Sequence, residues 1–278
     1  MREEWFILLR SIRSKLHSAR VLDSLPAVEG MERVYEKGRC LYDGYQRSAP
    51  LKYGSLGDEV RRDPVFRKAL AAARLPDVRS MVVDVRFINL FILIKFFLRD
   101  LSSHNIVEFG AYRGGSAVFL AMLLAEYYPE ARILALDTFA GLPPLKKSVD
   151  KPPQDFLAFN LERTRATVRA LGLRNLEFVP GLIEDTAEEA CRSLGPIGLA
   201  HIDVVLYEAS AFAHHIARRY LAPEGYLVQD DALEPTCPGA MVAVEEMIRE
   251  HGFSIEQVWP QIVFRGARGN GTAARPPD

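Results

Sequence analysis

The segment between residues 104 and 124 constrains the fold more than any other part of the chain. An apolar run at 106–109 is followed by Gly110, Gly114 and Gly115, and then by an apolar stretch at 117–124. This order predicts a buried strand that turns sharply into a buried helix. Glycines let the backbone approach a ligand closely, and the first N–H groups of the helix are free to bind it. We therefore expect a ligand site at this turn.

Acids near the turn indicate the kind of ligand. The spacing Gly-x-x-x-Gly-Gly differs from the dinucleotide-binding pattern, and the turn lacks the Lys-Ser/Thr of a phosphate-binding loop. Glu108, which we place inside the turn, would repel a phosphate but suits a cationic amine. Asp137 ends the next apolar run, where a carboxylate can accept both hydroxyls of a ribose. These features indicate S-adenosylmethionine, although glycines in such a turn can also serve packing alone.

The composition is that of an ordinary soluble globular protein. The 278 residues, 49% of them hydrophobic, suffice for one large α/β core. The 35 basic and 36 acidic residues give no argument for binding nucleic acid. Cys40, Cys191 and Cys237 are widely spaced, which favours a cytoplasmic chain with reduced thiols. The longest apolar stretch, at 87–98, is too short to span a bilayer, so we expect a buried helix and no stable membrane anchoring.

Both ends of the chain differ from its middle. Apolar residues between positions 5 and 16 recur at helical spacing with basic residues among them, as in a membrane-surface helix or, more commonly, a lid or subunit-contact helix of a homo-oligomer. Residues 22–79 show no strand rhythm, so we expect residues 1–79 to form an N-terminal helical cap. The fold should end near Arg265, and residues 266–278 should form a disordered tail.

Residues 80–265 show a regular alternation of strands and helices. The predicted strands lie near 104–109, 132–137, 175–179, 199–205 and 225–230. Such alternation predicts a mostly parallel sheet with helices on both faces. The apolar segments 254–258 and 261–265 are separated by only two residues, which predicts an antiparallel hairpin. By analogy of fold, this ending is expected of the Rossmann-like, seven-stranded sheet of class I methyltransferases.

Acids follow two of the predicted strands at their carboxyl ends. Asp203 ends one strand, and Asp230 and Asp231 end the next. Ligands of open α/β sheets lie beyond these ends, where three uncompensated carboxylates would repel one another. A hard divalent cation would resolve this repulsion; Mg²⁺ is the first choice, and calcium or manganese would also fit. Alternatively, the acids are surface residues that cap strands and helices.

The acids also indicate a reaction. Coordination to a metal would make a hydroxyl a better nucleophile, and its attack on a sulfonium methyl group then depends mainly on positioning. Asp203 is the first candidate for the catalytic base. His201 could assist it, although a histidine within a strand is more often structural. The sequence therefore predicts methyl transfer to a hydroxyl of a small-molecule acceptor.

From about residue 80 to 265 the chain resembles the macrocin O-methyltransferase family, which comprises Mg²⁺- and S-adenosylmethionine-dependent sugar O-methyltransferases of antibiotic biosynthesis. The string Asp137-Thr-Phe-Ala-Gly-Leu-Pro143 is especially specific, and His201-Ile-Asp-Val-Val-Leu-Tyr-Glu208 also matches. The resemblance implies that Asp203, Asp230 and Asp231 bind the metal. It also implies a set of cofactor contacts: Met81, Glu108, Gly110, Ala111, Tyr112, Gly114, Ser116, Asp137, Thr138, Phe139, Gly181, Leu182, Ile183 and Asp203.

The chain departs from the family pattern at three places. Val205 replaces the usual second acid of Asp-x-Asp, and Leu182 and Ile183 replace aromatic residues beside the adenine. The first 79 residues match poorly. The leading hypothesis is methyl transfer to a sugar of a natural product. The alternatives are a catechol-type phenol acceptor, or a non-catalytic, cofactor-binding accessory protein of a tailoring enzyme; scattered arginines give only weak support for a nucleic-acid methyltransferase.

Overall fold

The computed structural model describes residues 33–36, 39–42, 55–152, 158–251 and 253–267. The predicted helix at 5–16 and the predicted tail beyond residue 267 lie outside these residues. Strands β1 (Arg33–Glu36) and β2 (Arg39–Tyr42) pair antiparallel. The expectation that residues 22–79 contain no strand is therefore wrong. Only two residues, one of them a glycine, separate the strands in the sequence, which favours a tight hairpin.

Among the described residues, three α-helices precede the central sheet. Helices α1 (Ser55–Arg62) and α2 (Pro64–Ala73) lie within residues 22–79, and the Asp63 side chain caps α2 by accepting from two backbone N–H groups. Helix α3 (Asp84–Ile92) continues as a π-helical turn (Leu93–Phe97) and a 3-10 turn. The predicted buried helix is confirmed as far as residue 94, but Phe96 and Phe97 are exposed, because the winding changes there.

The central sheet has seven strands in the order β5-β4-β3-β6-β7-β9-β8. The first five are parallel, and β9 runs antiparallel to both of its neighbours, as predicted. The strands are β3 (Ile106–Phe109), β4 (Ile133–Asp137), β5 (Leu176–Pro180), β6 (Ile197–Ile202), β7 (Leu221–Gln229), β8 (Ser254–Gln257) and β9 (Ile262–Arg265). The helices around them are α4 (Gly115–Tyr127), α5 (Leu161–Ala170), α6 (Ile183–Leu194), α7 (Tyr207–Tyr220) and α8 (Pro238–His251).

Each face of the sheet packs against its own apolar core. Successive residues of β3 illustrate this, because Ile106 belongs to one core and Val107 to the other. Because both faces of the sheet are buried, the carboxyl ends of the strands are where the sheet remains accessible. Cys191 and Cys237 are buried free thiols, and burial raises the pKa of Cys191 to about 12. Within the described residues, no helix is both long and apolar enough to cross a membrane.

Candidate active site

The strand order reverses between β3 and β6. The chain proceeds from β3 outward to β4 and β5, and then returns to β6 on the other side of β3. Backbone hydrogen bonds continue past the strand ends, from Gly110 N to Leu136 O at 2.8 Å and from Asp203 N to Phe109 O at 2.8 Å. Open α/β sheets bind ligands in the crevice at such a reversal.

The glycine turn at this reversal brings the ends of β3 and β6 into close contact. Gly110 has φ of 91°, and a Cβ atom there would overlap the carbonyl group of Asp203. Gly114 has φ of 82° at the start of α4, where a Cβ atom would lie 2.8 Å from the Phe178 ring. Both positions require the left-handed backbone that glycine adopts without strain. Packing therefore accounts for these glycines as well as ligand access does.

A cavity of about 220 Å³ lies beside this turn. Seven of the predicted cofactor residues line it: Gly110, Tyr112, Asp137, Thr138, Leu182, Ile183 and Asp203. Asp137 accepts from the backbone N–H groups of Tyr112 at 2.8 Å and Phe139 at 2.9 Å, and burial raises the pKa of its carboxyl group. Seven others do not line the cavity: Met81, Glu108, Ala111, Gly114, Ser116, Phe139 and Gly181.

Glu108 differs most from its expected position. It lies within β3 rather than in the turn, and it faces His201 across the β3–β6 register. The side chains are fully buried, with 2.9 Å between Glu108 Oε1 and His201 Nδ1, while Glu108 Oε2 has no hydrogen-bond partner among the described residues. Neither residue lines the cavity. The pairing with His201 explains how a carboxylate is accommodated in a central strand.

The structure brings Asp203, Asp230 and Asp231 together. Ligand oxygens of the three carboxylates lie within 4.8 Å of one another. Burial and the neighbouring Asp230 raise the pKa of Asp231 to about 7, and burial together with the two other acids raises the pKa of Asp203. Burial alone would raise the pKa of Asp230 too, but Arg86 and His201 hold it below its usual range.

Asp230 is surrounded by donors whose contacts with it the sequence did not predict. Arg86 of α3 lies 2.5 Å from Asp230 Oδ2 and 2.6 Å from Glu234, and Gln261 donates to Asp230 Oδ1. His201 Nε2 lies 3.4 Å from the same Oδ1. Arg86 could have been identified from the sequence, because it is a basic residue inside the apolar helix at 84–92. The sequence offered no comparable signal for Gln261, because only the pairing of β7 with β9 brings it beside Asp230.

Two other residues, Val205 and His214, have well-defined contacts. Val205 lines the cavity and packs in an apolar cluster with Leu206 and Cys237, so an apolar side chain takes the place of the second acid of the family pattern. His214, on α7, is buried and lies 2.9 Å from Gln229 Oε1, which is a structural contact away from the cavity.

The sheet order, the hairpin and the cavity at the strand reversal define the fold of a class I methyltransferase. Two solved structures share this fold. The O-methyltransferase NovP has a TM-score of 0.59 at 20% identity, over 77% of this chain and 95% of that one. The calicheamicin methyltransferase CalS11 has a TM-score of 0.55 at 18% identity, over 79% of this chain and 99% of that one.

Sequence comparison identifies the family. The model described as macrocin O-methyltransferase (TylF) matches residues 53–265, and the chain belongs to this family. It is an S-adenosylmethionine-dependent O-methyltransferase. An 8-demethyl-8-(2,3-dimethoxy-alpha-L-rhamnosyl)-tetracenomycin-C 4'-O-methyltransferase from Streptomyces olivaceus is 28% identical over 70% of this chain and 77% of its own length. A mycinamicin III 3''-O-methyltransferase from Micromonospora griseorubida is 29% identical over 64% of this chain and 74% of its own length.

Proposed function

We propose that the enzyme methylates a hydroxyl group of a sugar on a natural product, and that it uses Mg²⁺ held by Asp203, Asp230 and Asp231. The convergence of these three carboxylates beside the cavity is the observation that carries the proposal. The relatives support the acceptor class, since one is named for a rhamnosyl-tetracenomycin and the other for mycinamicin III.

The charges around the cluster support a divalent cation. Glu108, Asp230 and Asp231 are buried, as are Arg86 and His201. With Asp203 included there are four carboxylates, against at most two cations even if His201 is protonated. When all four carboxylates are ionised, this leaves an excess of two negative charges, which a divalent ion would neutralise. Asp231 Oδ2 is buried, and no hydrogen-bond partner for it lies in the part of the chain that the structure describes; carboxylate oxygens of this kind suit Mg²⁺ as ligands.

The three acids take different parts in the proposed reaction. Among them only Asp203 lines the cavity, so its carboxylate faces the acceptor and can receive the hydroxyl proton. Bound Mg²⁺ would supply Lewis acidity that lowers the pKa of the acceptor hydroxyl. The acceptor oxygen then forms a bond to the methyl carbon as the carbon–sulfur bond breaks. His201 lies behind Asp230, so we assign it to positioning rather than to direct proton transfer.

The same proposal includes the cofactor contacts. Asp137 would accept the ribose hydroxyls, and Leu182 and Ile183 would line the adenine pocket. We retain Glu108, the glycine turn and Met81 as the predicted surroundings of the methionine part. The lid role of residues 1–79, assembly as a homo-oligomer and a cytoplasmic location also belong to this proposal.

Thermal unfolding and turnover test the proposal in two steps. S-adenosylhomocysteine at about 100 times its Kd should stabilise the protein by roughly 2.7 kcal/mol, and no shift at millimolar ligand would exclude the cofactor site. With a rhamnosylated macrocycle or aromatic polyketide as acceptor, Asp230→Asn should abolish Mg²⁺-dependent turnover while the ligand-induced shift remains. Asp100→Asn, at an exposed acid, is the matched control. Turnover that persists with a chelator would refute the metal role.

A further inference from the structure

Three amide side chains connect the C-terminal hairpin to Asp230. Gln257 of β8 donates from Nε2 to Asn89 Oδ1 at 2.8 Å. Asn89 of α3 donates from Nδ2 to Gln261 Oε1 at 2.9 Å. Gln261, the residue before β9, donates from Nε2 to Asp230 Oδ1. Asn89 and Gln261 thus each accept from one amide and donate to the next group, and the last donor reaches Asp230.

The backbone places the members of this amide relay together. Gln229 at the end of β7 pairs with Ile262 at the start of β9, so the next residues along each strand, Asp230 and Gln261, lie beside each other. Asn89 is three residues after Arg86 on α3, and residues at this spacing share one face of a helix. Asn89 and Gln261 are 1% and 0% exposed. Water therefore does not compete for these hydrogen bonds, which strengthens them.

The relay and Arg86 act on opposite oxygens of the same carboxylate. Arg86 Nη1 donates to Oδ2 at 2.5 Å, and the relay donates to Oδ1. Donors on both oxygens fix the rotation of the carboxylate about its side chain. They also leave open the remaining lone pairs, because a carboxylate offers about four acceptor positions. Because His201 Nε2 also lies 3.4 Å from Oδ1, three of these positions face nitrogen atoms, and the fixed plane presents the one remaining lone pair, on Oδ2, in a single direction.

We propose that Gln261, Asn89 and Gln257 are positioning residues that hold Asp230 in the orientation required to bind a divalent cation. This inference rests on the proposed metal role of Asp230. It gives the C-terminal hairpin a function in the active site, since the hairpin supplies two of the three amides. Residues that orient a metal ligand commonly change metal affinity 10–100-fold when they are replaced.

Mn²⁺ binding, measured by electron paramagnetic resonance on the full chain with S-adenosylhomocysteine present, tests the relay without an acceptor. Gln261→Met keeps the shape of the side chain and removes its donor. Asn89→Asp keeps the acceptor for Gln257 but forces Gln261 to turn its amide, so that its oxygen faces Asp230. We expect both variants to raise the Kd for Mn²⁺ by about 10–100-fold. Gln257→Met, at the outer end, should have a smaller effect of about threefold.

A matched control separates the positioning role of the amides from a purely structural role. Gln229→Met removes a fully buried amide of β7 that contacts His214 rather than Asp230. It should lower the melting temperature as much as Gln261→Met does, yet leave the Kd for Mn²⁺ within about twofold of the original value. All variants should retain the stabilisation by S-adenosylhomocysteine, which reports on the glycine-turn side of the site.

The outcomes separate the relay from the metal site itself. If the unaltered enzyme binds no Mn²⁺, the proposed metal function fails, and the relay fails with it. If the unaltered enzyme binds Mn²⁺ and both Gln261→Met and Asn89→Asp bind it within twofold, only the relay is wrong. Equal weakening in Gln229→Met would also overturn it, because the effect would then follow lost stability rather than lost orientation.

Discussion

The two sides of the candidate active site are held in place by different forces. On the cofactor side, backbone geometry dominates: Gly110 brings two strand ends together, and Asp137 binds backbone N–H groups. On the metal side, buried charges dominate, with Arg86 and His201 set against a cluster of acids. The first arrangement depends on close packing and the second on charge balance. Substitutions and pH should therefore affect the two sides differently.

The largest effect is expected at the turn between the two sides. Gly110→Ala would place a methyl group on the carbonyl of Asp203 and force β3 and β6 apart. We expect a loss of more than about 4 kcal/mol in the free energy of unfolding and no stabilisation by S-adenosylhomocysteine, measured by urea denaturation and thermal unfolding. Gly172→Ala is the control, since its φ of 74° is similar but nothing lies within 4 Å of its Cβ atom. It should cost only about 1–2 kcal/mol.

Breaking the charge balance should produce the next largest effect. Arg86→Met leaves the Asp230 carboxylate buried without its main cation, which should cost about 3–5 kcal/mol in chelator. Added Mg²⁺ should raise the free energy of unfolding of the variant, and the increase should be larger than in the original enzyme. The double variant Arg86→Met/Asp230→Asn should regain most of the stability, because it removes both charges. A single-variant loss below about 1 kcal/mol would show that Arg86 does not compensate Asp230.

The sequence predicted the fold and the convergence of the three acids, but it did not predict the charged groups beside those acids or the full set of residues that line the cavity. Strand alternation and the position of Asp137 are local patterns, and the structure confirms the fold they predict. Arg86 and Asp230 are separated by 144 residues, so only the folded register shows that they form a pair. Glu108 was misplaced because an acid interrupts an apolar run. The interruption resembles a strand end until His201 is found opposite it.

The metal side should also respond to pH near neutrality. The pKa of Asp231 rises from an ordinary value of 3.8 to about 7 in the folded protein, because burial and Asp230 disfavour its charge. The folded state therefore holds this proton more tightly. The resulting stability is complete below pH 3.8 and is lost as pH rises through about 7. In chelator, we expect the free energy of unfolding to fall by about 2–4 kcal/mol between pH 5 and 8.

Asp231→Asn is the control for this pH dependence. The amide cannot ionise, so the slope between pH 5 and 8 should become shallower in urea denaturation. Asp203 and His201, whose pKa values are also raised, keep contributing a slope of the same sign. Asp230 contributes with the opposite sign, since its pKa is lowered, and its stabilisation is lost only in strong acid. It therefore does not mask the effect of Asp231. Parallel slopes for the original enzyme and Asp231→Asn would mean that another group titrates in this range.

The smallest expected effect concerns the adenine pocket on the cofactor side. Leu182 lines the cavity and is 40% exposed, so a larger ring can enter the cavity without disturbing the core. Leu182→Tyr offers a stacking surface to the adenine, which is worth about 1 kcal/mol and should tighten S-adenosylhomocysteine binding roughly fivefold by isothermal titration calorimetry. Leu56→Tyr, at a residue 41% exposed on α1 and outside the cavity lining, should leave the Kd unchanged. Weaker binding in Leu182→Tyr would contradict this placement of the adenine. It would mean that the added ring blocks the cofactor instead of stacking on the adenine.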